Sequence, residues 1–265
     1  MNSNIPFKLI FLLALLVTVV SVGGIFFPAT YLRETAEWRA QSIGQDWFDL
    51  LISVPTLLVS AILCRRGSLT AFYFLLGVLI FLIYTLIIYT FAVPFNQLFL
   101  VYCIALGAAS YNLIYLLWQT ESESIKNRIA IGNSTAVATI YLVIFAVLFY
   151  ALWLSQVVPA ILSGHPPLEV VRMGLLTNPV HVLDLSLLLP GFLITAFLLR
   201  RGHSLGYLFA PTIMTFSVIM TLSIATLVLY EYCSGIGSDY SVAIAMGVSS
   251  MLSALVFRRF LRVQR

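Results

Sequence analysis

Long apolar runs joined by short polar connections dominate this chain. Eight runs stand out: 9–27, 47–64, 71–93, 98–118, 136–158, 180–199, 205–230 and 241–257. A helix needs about 20 residues to cross a hydrocarbon core, and all eight are that long or nearly so. They are too long and too uniformly apolar for barrel strands, which would alternate. A lipid-facing backbone must satisfy its hydrogen bonds internally, so helix is the state expected for all of them. The fold class read from the sequence is therefore an all-α membrane protein with eight transmembrane helices.

The pattern occurs twice. Asp49-x5-Pro55-x9-Arg65-Arg66-Gly67 returns 135 positions later as Asp184-x5-Pro190-x9-Arg200-Arg201-Gly202. The stretch Ile104-Ala105-Leu106-Gly107-Ala108-Ala109-Ser110 returns as Ile244-Ala245-Met246-Gly247-Val248-Ser249-Ser250. Each copy holds four helices, so both insert with the same orientation. The expected architecture is two parallel four-helix repeats, residues 1–118 and 136–265, joined by a polar cytoplasmic linker over 119–135. A pseudo-two-fold axis along the membrane normal would relate them.

Composition agrees with a bilayer as solvent. The chain of 265 residues is 61% hydrophobic and 9% charged, against about a quarter charged in soluble domains. With both termini inside, eleven of the fourteen Lys and Arg fall on the cytoplasmic side: Lys8, Arg65, Arg66, Lys126, Arg128, Arg200, Arg201, Arg258, Arg259, Arg262 and Arg265. Only Arg33, Arg39 and Arg172 fall outside. That is a strong positive-inside bias. The net charge of +4 then calls for anionic lipid headgroups as partners, not nucleic acid. The first run is longer than a signal-peptide core and lacks a clear cleavage site, so it reads as a retained helix. Pro28-Ala29 and Pro159-Ala160 mark the expected ends of helices one and five. Cys64, Cys103 and Cys233 suggest no disulfide. The Asn133-Ser134-Thr135 sequon falls on the cytoplasmic linker.

Some repeated features have structural readings. Arg-Arg-Gly suits a helix C-terminus, with glycine in the left-handed position and cations against the dipole. Gly107, Ser110, Gly247 and Ser250 would let helices four and eight pack closely. Pro55 and Pro190 lie inside their helices, remove a backbone donor and predict kinks. Matching interruptions in two halves of a transporter-like fold point to a binding site. The outer stretches 28–46 and 159–180 each suggest a short interfacial helix. Tyr230, Tyr232 and Tyr240 suit an outer aromatic belt.

Ionisable residues near membrane depth are the candidates for chemistry. The copies place His181 opposite Asp46 and Asp184 opposite Asp49, each pair three residues apart on one helix face. If both helices line a common axis, the four groups meet in an outward-facing site that would hold a small solute or cation. The competing reading is capping, with Asp46 as N-cap of helix two and Asn178-Pro179 opening helix six. The sequence calls for no cofactor. Three histidines cannot build a histidine-rich di-iron site, and HExxH, Walker A, dinucleotide and Cys-x-x-Cys motifs are absent. No catalytic residue is assigned, and whether a metal binds is left open.

The run Asn178-Pro179-Val180-His181-Val182-Leu183-Asp184-Leu185, with Leu189-Pro190 and the following Arg-Arg-Gly, resembles a stretch in a family of uncharacterised bacterial multi-pass inner-membrane proteins. The resemblance implies a bacterial inner-membrane protein and transfers no functional residue. Two functions follow as expectations. One is a small transporter or permease-like protein with an outward-facing polar site between the repeats. The other is a non-catalytic membrane component: a sensor, a lipid-binding protein or a subunit of a larger complex. An outer-face enzyme acting on a lipid or cell-wall precursor ranks third.

Overall fold

The computed structural model describes residues 5–129, 134–237 and 239–261. Asn133 of the sequon, Arg262 and Arg265 lie outside the described residues. Among those described, the chain is helical, and eight helices are long and apolar enough to cross a membrane: α1 (Phe7–Phe26), α2 (Ala36–Arg65), α3 (Leu69–Phe91), α4 (Phe99–Trp118), α5 (Thr135–Ser163), α6 (Pro179–Arg200), α7 (Ser204–Cys233) and α8 (Ser241–Leu261). Short helical turns at Pro28–Tyr31, Ser122–Arg128 and Leu168–Arg172 lie between them.

Helix ends obey local chemistry. Thr35 Oγ1 accepts from Trp38 N and opens α2, and Ser68 Oγ accepts from Ala71 N and opens α3. Asn178 Oδ1 accepts from the amides of Val180 and His181, with Pro179 as first helical residue. At both Arg-Arg-Gly sites the glycine has positive φ, +84° at Gly67 and +68° at Gly202. There Gly67 N donates to Cys64 O and Ser68 N to Leu63 O, matched by Gly202 N to Leu199 O and His203 N to Leu198 O. These paired bonds form a Schellman ending in each copy.

Several expectations are corrected. Helix two starts at Ala36, eleven residues before its expected start at 47. Asp46 is therefore an interior residue and not an N-cap. The 28–46 stretch is no separate interfacial helix, and its Tyr31 and Trp38 are buried. Pro159 does not end helix five, which runs on to Ser163. The 159–180 stretch holds only the turn Leu168–Arg172 beyond that end.

Two compact units make up the chain. The first comprises residues 1–120 and 215–253, the second residues 121–214 and 254–265. This division by packing differs from the division by copied motifs. Within the first unit, α3 meets the 215–233 part of α7 at Gly77. A Cβ there would lie 2.9 Å from Phe216 N and would run into the Thr215 hydroxyl, which donates to Tyr73 O at 2.8 Å. Gly44 on α2 makes a similar approach, 3.1 Å from Leu227 Cα. Such contacts need a hydrogen for a side chain.

The glycines singled out in the sequence do not fill that role. A Cβ added to Gly107 or Gly247 meets nothing within 4 Å. Ser250 does join two helices, but its Oγ donates to Val218 O on α7 at 3.0 Å. Ser110 is half-buried, and the buried face of α4 beside it carries Ala105, Ala109 and Asn112.

Candidate functional site

Proline interrupts both α2 and α6 in the same way. Pro55 and Pro190 have no N–H to continue the i→i−4 ladder. The turn before each widens to a π-helix, Asp49–Ser53 and Asp184–Leu188. Val54 N donates to Asp49 O, and Leu189 N donates to Asp184 O. Each π turn therefore begins on the copied aspartate. Single π turns inside α-helices occur often at functional sites.

In the first unit, Asp46 is fully buried and held through both oxygens. Tyr31 Oη donates to Oδ2 at 2.7 Å. Tyr89 Oη lies 2.9 Å from Oδ1 and 3.2 Å from Ser42 O. The site depends on Gly24 of α1, because a Cβ there would run into Asp46 Oδ2 and lie 2.6 Å from Tyr31 Oη. Three residues on, Ser53 Oγ donates to Asp49 Oδ1 at 2.7 Å, across the π turn. Gln45 Oε1 accepts from Ser223 Oγ at 2.7 Å.

The network continues toward the α3–α4 connection. The rings of Tyr89 and Tyr102 pack edge to face at 5.4 Å, and Asn96 Nδ2 donates to Tyr102 Oη and to Thr30 O. On the other side Ser42 Oγ donates to Glu34 Oε1 at 3.3 Å, and Arg39 donates to the carbonyls of Tyr31, Leu32 and Glu34. Glu34, outside the spanning helices, is 7% exposed. Burial pushes its carboxyl up to about 8, offset in part by the Ser42 bond and the charge of Arg39. Burial and the neighbouring Asp46 also push the Tyr31 phenol up.

In the second unit, Trp153 of α5 links the two candidate residues. Its Nε1 donates to Asp184 Oδ2 at 2.7 Å, and its ring lies 4.7 Å from that of His181. His181 is 6% exposed, and its Nε2 has no hydrogen-bond partner. That ring lines an open groove of about 610 Å³ formed by the end of α5, Pro166-Pro167 and the start of α6.

The structure thus bonds Asp46 to Tyr31 and Tyr89 and Asp49 to Ser53, and sets His181 and Asp184 against one tryptophan. Pro55 and Pro190 set the π turns. Sequence reasoning missed Tyr31, Tyr89, Tyr102, Glu34 and Trp153. For Tyr89, Tyr102 and Trp153 the available sign was a polar-tipped aromatic within an apolar run, since a buried Tyr or Trp normally finds a partner for its polar tip. Among the described residues, no group of three or more His, Cys, Asp or Glu could hold a metal ion. No family model, no curated protein and no solved structure matches this chain.

Proposed function

We propose that the protein is a small cation-coupled transporter of the permease kind, in which the carboxylates at the interrupted turns of α2 and α6 bind and release the coupling ion, most simply a proton. The observation carrying this reading is that a π turn begins on a buried aspartate at the copied position in each half. Intramembrane acids set on broken helices are the usual device for ion coupling. The partners of Asp46 are neutral phenols, so no fixed cation holds it in one charge state. The proposal includes two copies of one four-helix repeat, inserted with the same orientation in a bacterial inner membrane. Both termini lie on the cytoplasmic side, supported by eleven of fourteen basic residues. It also includes kinship with the uncharacterised inner-membrane family that shares the Asn178–Gly202 pattern.

A second reading is a non-catalytic membrane component. The enclosure of Asp46, with both oxygens bonded, favours it.

The deciding experiment is electrical recording on proteoliposomes adsorbed to a solid support. Proton, sodium and potassium gradients are applied with a panel of amino acids, sugars and organic acids. The transport reading expects a transient current with at least one solute, lost in Asp49→Asn and in Asp184→Asn. A panel giving no more current than protein-free liposomes leaves the second reading standing.

A further inference from the structure

We propose that the groove where α5 ends and α6 begins binds a single-chain amphiphile, its apolar chain along the wall and an oxygen of its head hydrogen-bonded to His181 Nε2. The proposal does not rest on the transport reading.

Local chemistry builds this groove. The chain leaves α5 through a Schellman ending, with Gly164 N donating to Ile161 O and His165 N to Ala160 O. Pro166-Pro167 then stiffens the return, since each ring fixes its own φ. Asn178 caps α6 three residues before His181. The walls are carbon: Val157, Ala160 and Ile161 from α5, and Val182 and Leu185 from α6. The volume of about 610 Å³ falls within the rough range of 300–1,000 Å³ for small-molecule sites.

His181 is what makes this more than an apolar surface. A buried polar atom without a partner costs free energy that a ligand can return. The imidazole is positioned on its other side by the Trp153 ring, whose Nε1 is engaged with Asp184. Indole and imidazole therefore hold each other, and Nε2 is left buried at the groove wall without a partner of its own. A hydrophilic solute would give up its hydration to carbon walls for this single bond. A long apolar chain coming from lipid exchanges one apolar surface for another and gives up no hydration to the same walls. The groove has a direct source of such chains, because Ile161 is 72% exposed and Val182 51% exposed on a chain built for lipid.

Photolabelling of the full-length protein in nanodiscs tests the site. The probes are palmitate carrying a chain diazirine, the same chain as a diazirine alkane without oxygen, and a diazirine lysophosphatidylcholine. Labelled peptides are mapped by mass spectrometry. Palmitate or the lysolipid should label residues 157–186 roughly two- to tenfold more than the alkane, the worth of one hydrogen bond. Whichever of the two labels more identifies the source as free acid or phospholipid. His181→Phe keeps a ring against Trp153 and should reduce labelling to the alkane level. Ala160→Trp fills the groove from the other helix and should remove labelling by all three probes. Equal labelling by alkane and oxygen-bearing probes in the native protein overturns the proposal, as does unchanged labelling in folded His181→Phe. Should that variant fail to fold, the native probe comparison and Ala160→Trp decide alone.

Discussion

Trp153 Nε1 donates to Asp184 Oδ2 at 2.7 Å, tying the middle of α5 to the first residue of the α6 π turn. Trp153→Phe keeps an aromatic ring beside His181 and Phe149 but removes this donor. A hydrogen bond to a carboxylate in a buried setting is worth about 1–3 kcal/mol. Denaturant unfolding of the purified variant should show a loss of that size. Stability within experimental error of the native protein would show that the bond contributes nothing to the α5–α6 pair.

Close packing gives a second prediction, with opposite outcomes for glycines that look alike in sequence. Gly77→Ala would push a methyl against Phe216 N and the Thr215 hydroxyl. It should cost about 1–3 kcal/mol by overpacking. Gly24→Ala should cost at least as much, because it would displace Tyr31 from Asp46. Gly107→Ala and Gly247→Ala have open space and should leave stability unchanged or raise it by up to roughly 1 kcal/mol through helix propensity. Melting temperatures of the four variants, side by side, check the ordering.

Glu34 makes stability depend on pH. Its carboxyl is pushed from the ordinary 4.5 up to about 8 in the folded protein. Between these values the folded state holds a proton that the unfolded chain has released. Stability should therefore fall as pH rises through this window and level off above about 8. Glu34→Gln cannot ionise and should flatten that part of the curve. Unfolding midpoints for both proteins across the window provide the test, and parallel curves would remove Glu34 as the cause.

Cys233 is exposed at the last residue of α7, while Cys64 is buried near the Arg-Arg-Gly end of α2. With both termini inside, a membrane-impermeant maleimide added to intact cells should label Cys233 and spare Cys64. Labelling of Cys233 only after the cells are opened would reverse the assigned orientation.

The sequence carried the eight helices because hydropathy over 20 residues is a strong local signal. It also carried the glycine endings and the Asn178-Pro179 start, which depend on neighbouring residues alone. It misplaced the start of α2 because 36–46 is polar enough to resemble a loop. Thr35 as a cap and the helix-forming Ala36, Glu37, Arg39, Ala40 and Gln41 were the signs available there. The partners of Asp46 were not legible. Tyr31 is fifteen residues away and Tyr89 forty-three, and only the packing of α1, α2 and α3 brings them together. A small-residue motif likewise shows where helices could approach but not which face is turned inward. Gly44 and Gly77 therefore make the close contacts that Gly107 and Gly247 were expected to make.

The π turns also set the phase of everything that follows them. In α2 the buried line passes from Phe48 and Asp49 to Ser53, and in α6 it steps five residues from Asp184 to Leu189. Beyond it, Leu57, Ala61 and Cys64 in one helix and Phe192, Ala196 and Leu199 in the other return to ordinary α spacing. One residue corresponds to about 100° of rotation. Deleting a single residue between Asp49 and Ser53 would take out the extra residue of the π turn and turn the whole downstream half of the helix by that angle. Leu57 would face away from the interior, and the arginines at the far end would point in a new direction. The acid-bearing half and the arginine-bearing half of each helix thus behave as two gears meshed one tooth out of step, and that offset lets both ends keep their own orientation.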